Sequence, residues 1–208
     1  MVGHKTKGGI LARTVDKIEK RKIIALSCKD LFVQNSIKNL TISKIAQTAG
    51  IGKGSIYDYF DNKEDIVFEL VDILLQEADL TKKQRLASVE SAREKIKIFF
   101  EFFYADSSAE LRELFKDFNA ICLTNPNEKI LLYQTKVYTY YDTWIKSILQ
   151  EGINNKELSQ DAITYSGIFF VLSKGTFISS ISTSGIINLQ EDLNTYIDFI
   201  FDSMKGKK

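Results

Sequence analysis

Apolar positions recur at helical spacing from about Thr14. Ile24, Cys28, Leu31 and Phe32 fall at i, i+4, i+7 and i+8, along one face of a helix. That helix is expected to end near Asn35, a residue that tolerates the left-handed backbone just past a helix C-terminus. Thr41 then reads as the N-cap of a short helix with Ile42, Ile45 and Ala46 facing inward. Gly50 marks a turn, and GKGSIYDYF (52–60) predicts a second short helix. Asn62 caps the next helix with Asp65 at the reciprocal capping position, and Ile66, Leu70, Val71 and Leu74 form its buried stripe.

Five more helices fit the remainder. Ser91 with Glu94 three residues on reads as a capping box, opening a helix through IKIFFEFFY. A second covers about 108–123. Pro126, in Asn125-Pro126-Asn127-Glu128, is expected at the first helical position of a long helix reaching about Gly152. Ser159 is read as capping a helix through about Ser182, and the last runs from Leu189 to about Met204, after a turn at Gly185. The segment GIFFVL has strand composition, but no neighbouring run offers it a partner strand, so helix is preferred. The predicted class is all-α, with about nine helices.

Composition agrees. Proline is excluded from helix interiors, and the chain has one proline in 208 residues. Cys28 and Cys122 are far apart, with no CxxC spacing, so no disulfide framework or metal site is expected and a reducing cytoplasm is the simplest setting. The N-terminal stretch lacks a signal-peptide core. Lys174 and several Ser and Thr interrupt the most apolar run, so no membrane span or membrane partner is expected. The near-neutral total charge hides a split. Residues 1–65 hold twelve Lys/Arg against seven Asp/Glu, and the rest is net acidic, which directs an anionic partner to the first part alone.

The strongest signal is TISKIAQTAGIGKGSIYDYF (41–60). Two short helices crossing steeply need a small residue where they approach, supplied by Ala46, and a turn residue at ease with positive φ, supplied by Gly50. Ile51 and Ile56 pin the second helix to the first. The polar face left over, Gly52, Lys53, Gly54, Ser55, Tyr57 and Tyr59, suits a phosphate backbone and base edges in the major groove.

With LF at 31–32 and NKEDI at 62–66, these residues resemble the TetR family of transcriptional regulators over about 22–66. Two positions depart from its usual pattern, Asn35 where Gly is common and Gly52 where Ser or Thr is common. The resemblance implies DNA contacts from Thr41 and Ser43 on the first short helix, from Lys53, Ser55, Tyr57 and Tyr59 on the recognition helix, and from Lys63 at the start of the following helix. Lys44 joins them on expected exposure. Residues 1–65 are accordingly read as an N-terminal arm with a three-helix helix-turn-helix domain, and 66–208 as a helical regulatory domain. Lys5, Lys7 and Arg13 of the arm either follow phosphates or belong to a solubilising tail.

Other chemistries fit poorly. The Gly50–Ser55 stretch fails the Walker pattern, since position 47 is Gln and Lys53 is followed by Gly54. Ser55 stands where the third glycine of a dinucleotide fingerprint belongs. His4 is the single histidine and Glu110 and Glu113 read as solvated helix charges, so neither an enzyme nor a cofactor is expected.

In the C-terminal two thirds, aromatic residues crowd the three middle helices. They either form a wall for a flat or cationic organic ligand or simply fill the core. The resemblance implies a small-molecule pocket here, for which Phe103, Phe118, Tyr133, Val137, Tyr140, Tyr141 and Trp144 are the candidates. It also implies that the last two helices pair with a second copy of the chain. Candidates for that interface are Phe170, Lys174, Phe177, Ile178, Tyr196 and Ile200, with small residues such as Gly167 and Gly175 permitting close approach. The expected partners are double-stranded DNA, a second copy and a small hydrophobic or aromatic effector. The expected function is a homodimeric, ligand-responsive repressor on a palindromic operator; the alternative is a DNA-binding regulator controlled by a protein partner.

Overall fold

The computed structural model describes residues 7–124 and 126–204, with side chains from Asp16 onward. His4 and Lys5, and the side chains of Lys7 and Arg13, lie outside the described residues. In chain order the helices are α1 (Lys7–Ser27), α2 (Lys29–Gln34), α3 (Ile42–Thr48), α4 (Lys53–Ile56), α5 (Lys63–Ala87), α6 (Ala92–Phe100), α7 (Ala109–Thr124), α8 (Glu128–Asn154), α9 (Ser166–Ser182) and α10 (Leu189–Ser203). Short 3-10 turns fill some of the gaps, and no strand forms among the described residues. GIFFVL lies inside α9, as expected.

Two compact units emerge. The first comprises the chain through Ala78 together with Glu110–Asn125, and the second comprises Asp79–Ala109 and the chain from Pro126 onward. Helix α5 passes residue 65 without a break and contributes to each unit.

In the first unit the expected opening helix is divided and starts early. Residues 7–13, read as an arm, already belong to α1. The break falls at Cys28, whose N–H bonds to the Ala25 carbonyl three residues back (3.2 Å), while the Ser27 hydroxyl takes the Ile24 carbonyl (2.8 Å). Cys28 is fully buried, its thiol 3.7 Å from the Ile45 carbonyl, and burial pushes the thiol pKa up. Asn35 corrects another expectation. Its backbone is extended (φ −137°), not left-handed, because its side-chain amide donates to the Leu31 carbonyl at 2.9 Å. The amide thus satisfies a carbonyl that a left-handed residue's N–H would otherwise take.

The core of this unit is Phe32, Ile37, Ile45, Ala46, Ile56, Phe60, Ile66, Val67 and Leu70, all essentially inaccessible. Helix α7 joins it through three contacts. Phe118 meets Phe68 edge-to-face at 5.3 Å, Asp117 accepts the Ile37 N–H at 2.8 Å, and Glu110 pairs with Lys29 at 2.6 Å.

In the second unit several predicted caps are rearranged. Ser91 occupies the N-cap of α6 but makes no side-chain cap bond; the Ala92 N–H goes instead to Glu157 at 2.9 Å. Pro126 precedes the helix instead of opening it, and Asn127 is the true cap, accepting the Ile130 N–H at 3.0 Å. Ser159 leads into a 3-10 stretch, Gln160–Tyr165, before α9 begins, and Asn188 caps α10 through the Glu191 N–H at 3.2 Å.

Gly152 does not end α8. A Cβ there would lie 2.8 Å from Ala92 and from Leu158, so the glycine permits close packing of α6 on α8. The helix ends later, where Lys156 takes the left-handed conformation (φ 62°) and the Glu157 and Lys156 N–H groups bond back to Gly152 (2.8 Å) and Ile153 (3.0 Å). Ile96, Ile145, Ile148, Leu149, Phe169, Leu193, Ile197 and Phe201 form the core of this unit. Gln160–Ser182 is long and apolar enough to cross a membrane by length and composition alone, with mean hydropathy 1.2. Its Phe169, Ser173, Thr176 and Phe177 are nevertheless buried within the unit.

Candidate nucleic-acid interface

Helices α3 and α4 are held by apolar residues on one side and display polar ones on the other. Ile45, Ala46, Ile56 and Phe60 are buried, whereas Thr41, Ser43, Lys44, Lys53, Ser55 and Tyr57 are exposed, Tyr57 by 54%. Thr41 is the N-cap of α3, its hydroxyl accepting the Lys44 N–H at 3.3 Å. The turn is closed by the Ile51 N–H on the Ala46 carbonyl (3.0 Å) and needs Gly50 at φ 68°.

The recognition segment is shorter than its sequence pattern. Only Lys53–Ile56 is α-helical; three-residue bonds such as Tyr57 N–H to Gly54 (3.1 Å) and Tyr59 N–H to Ile56 (3.0 Å) carry the backbone on to Phe60. This tightening turns Tyr57 outward while Tyr59 becomes half-buried. The Tyr59 carbonyl accepts from the Arg21 guanidinium, which also pairs with Glu69 at 2.7 Å and lies 4.3 Å over the Phe60 ring. Arg21 is a positioning residue with no signature in spacing or motif.

At the start of α5, the Asp65 N–H reaches the Asn62 side chain at 2.8 Å, as the capping pattern predicts. The reciprocal bond lands one residue early, with the Asp61 N–H on Asp65 at 3.3 Å. Lys63, expected to meet the DNA backbone, is held within the protein in this structure. Its ammonium donates to the carbonyls of Ile37 (2.7 Å), Lys38 (3.0 Å) and Leu40 (3.0 Å), so all three donors are occupied within the protein. Lys63 therefore anchors the loop leading into α3. Lys63→Met is expected to lower stability by about 1.5–3 kcal/mol in urea denaturation while leaving the salt dependence of DNA binding unchanged. A salt slope reduced by about one unit would instead place the ammonium on a phosphate.

The candidate pocket residues divide. Phe118 belongs to the first unit, on Phe68. In the second unit Tyr140, Tyr141 and Trp144 cluster, with ring centroids 5.1 Å (Tyr140–Tyr141) and 6.1 Å (Tyr140–Trp144) apart. Phe103 is buried against Phe177 at 5.4 Å, and Tyr133 and Val137 are half-buried on α8.

The candidate interface residues divide as well. Phe177, 3% exposed, is a core residue, because its ring packs on Phe103. Phe170 is half-buried against Tyr138 at 5.0 Å, and Lys174 and Ile200 are half-buried. Ile178 and Tyr196 are exposed, together with residues the sequence pattern did not single out, Ile168, Val171, Ile181 and Phe199.

The sequence model for "Bacterial regulatory proteins, tetR family" matches residues 28–70, which bracket the two short helices. An HTH-type transcriptional regulator of Staphylococcus aureus is 27% identical over 135 residues, 61% of this chain and 68% of that protein. Among solved structures, a TetR-family regulator from Cytophaga hutchinsonii superposes with TM-score 0.73 at 15% identity, over 91% of this chain and 96% of that one. A regulator from Saccharomonospora viridis, solved in complex with choline, gives 0.72 at 19% identity, covering 91% and 99%. FadR from Bacillus subtilis, solved in complex with stearoyl-CoA, gives 0.65 at 21%, covering 88% and 98%. These likenesses coincide with a helix-turn-helix whose polar face is solvent-facing on an otherwise all-helical chain: residues 28–70 match the DNA-binding part of the tetR family of regulatory proteins, and the chain as a whole shares the fold of solved TetR-family regulators.

Proposed function

We propose that the protein is a ligand-responsive repressor that binds a palindromic operator as a homodimer, contacting DNA through Thr41, Ser43, Lys44, Lys53, Ser55 and Tyr57. The carrying observation is the exposure of these six polar side chains on a buried apolar scaffold fixed by Gly50 and Phe60. Ser43 and Lys44 on α3 and Lys53 on α4 suit phosphates, and the exposed Tyr57 suits base edges. Tyr59 is placed to support Tyr57 through its Arg21-bound carbonyl.

Two further features support the finer reading. One recognition turn reads few base pairs, whereas a dimer reads two half-sites about 34–36 Å or a multiple apart. An apolar face on α9 and α10 is available for such pairing. An effector in the second unit releases DNA if it binds the DNA-incompetent state more tightly. The choline and stearoyl-CoA complexes of the structural relatives agree with effector control.

The test is salt-dependent binding to the DNA upstream of the protein's own gene. Lys53→Ala is expected to weaken binding and reduce the salt slope by about one unit, and Tyr57→Ala to weaken specific binding by about tenfold. Weak, sequence-indifferent binding that ignores Tyr57→Ala overturns the operator-reading role.

A further inference from the structure

A second site lies wholly within the second unit. Lys82, in the C-terminal part of α5, points its ammonium at three aromatic rings: Phe99 (4.7 Å to the centroid), Tyr141 (5.4 Å) and Trp144 (5.6 Å). The rings brace one another edge-to-face, with Phe99 5.1 Å from Trp144 and 5.8 Å from Tyr141. Beside them sits Asp79, only 6% exposed, whose carboxylate accepts the Tyr141 hydroxyl at 3.3 Å.

A primary ammonium is a poor occupant for such a box. It carries three N–H donors and strong hydration, yet among the described residues its hydrogen-bond acceptor is Asp79 at 3.4 Å, well beyond the usual charge-assisted distance of about 2.7–2.9 Å. Burial lowers the Lys82 pKa from its ordinary value, the nearby Asp79 only partly opposing this. A box of ring faces around one carboxylate favours a cation that has few N–H donors and is weakly hydrated. Exchange conserves charge: the incoming cation pairs with Asp79 while the four-carbon Lys82 side chain swings to water. Tyr140, 46% exposed, and Lys83, 5.4 Å from the Trp144 ring, border the cluster on its solvent side.

We propose that Asp79, Phe99, Tyr140, Tyr141 and Trp144 form a binding site for an alkylated or aromatic ammonium cation, in which the Lys82 side chain is a resident placeholder that the ligand displaces. The proposal deepens the effector-controlled reading above by naming the ligand class and an internal competitor that sets the threshold for binding.

Trp144 is the single tryptophan of the chain, so its fluorescence reports the site directly. Phenyltrimethylammonium is expected to quench it saturably in the full-length protein, whereas the neutral isostere tert-butylbenzene is not. Lys82→Met, which keeps the packing volume and removes the competitor, should tighten the cation by about tenfold, and Asp79→Asn should weaken it by about tenfold. The gain in Lys82→Met cannot come from misfolding, and far-UV circular dichroism checks that both variants keep their helices. Absence of saturable quenching in wild type and Lys82→Met, equal binding of tert-butylbenzene, or unchanged affinity in Lys82→Met overturns the site. The titration contains no DNA, so its failure leaves operator binding intact. Cation binding without operator release would sustain the site and overturn effector control.

Discussion

Phe60→Ala is expected to destabilise the first unit by about 3–5 kcal/mol and to abolish operator binding with it. Phe60 is 1% exposed and ends the recognition segment, so its ring sets how the whole α3–α4 pair rests on the remaining helices. On one side the Arg21 guanidinium of α1 lies 4.3 Å over the ring, and the same guanidinium holds Glu69 of α5 and the Tyr59 carbonyl. Truncation leaves a cavity and removes the surface on which Arg21 rests, so two losses add at one place. Urea denaturation followed by circular dichroism checks the stability, and operator binding by fluorescence anisotropy checks the function. Phe60→Leu, which keeps most of the volume, should retain most of both. A Phe60→Ala protein within about 1 kcal/mol of wild type would show that Phe60 is not the anchor of the recognition segment.

The parts of this fold legible in the sequence are those where one residue type solves one local problem. Gly50 was readable because the turn requires φ 68°, and Thr41 and Asn62 because their side chains accept N–H groups three residues on. Asn35 was readable as a helix end but not as a mechanism, since the same residue closes a helix by backbone or by side chain. The three-carbonyl anchor of Lys63 was not readable at all: it joins residues 23 to 26 positions away, and a lysine at a helix start suits a phosphate equally well in sequence.

In the second unit, α9 is apolar on nearly every side, so periodicity gave it no direction. The structure turns Phe169, Ser173, Thr176 and Phe177 inward and Ile168, Val171, Ile178 and Ile181 outward. Phe177 therefore lies in the core, while Val171 faces outward. Aromatic crowding on α8 was visible in the sequence, but the buried charge pair beside it was not. Asp79 and Lys82 sit three residues apart on a helix, a spacing shared by ordinary solvated surface pairs.

The outward face predicts the second large effect. Val171→Asp combined with Phe199→Asp is expected to convert the proposed homodimer into a monomer and to weaken operator binding by about 10²–10⁴. Val171 is 67% exposed and Phe199 75% exposed, so neither substitution disturbs the core, and the helix content of the chain should be unchanged. Together with Ile168, Ile181 and Tyr196 they leave an apolar surface on α9 and α10 that a folded protein does not normally offer to water. A charge on each copy would be buried without a partner if the copies paired through this face, which costs far more than the apolar contact it replaces. The loss on DNA follows from geometry and not from the recognition segment, because a monomer engages one half-site and forfeits the effective concentration of the second. Light scattering during gel filtration reads the oligomeric state, and the same samples titrated on one half-site and on the full operator separate the two effects. Single half-site affinity should match wild type, with only the full-operator advantage gone. A wild-type protein that is monomeric at micromolar concentration would overturn the homodimer, and a double variant that still binds the full operator tightly would move the pairing surface elsewhere on the chain.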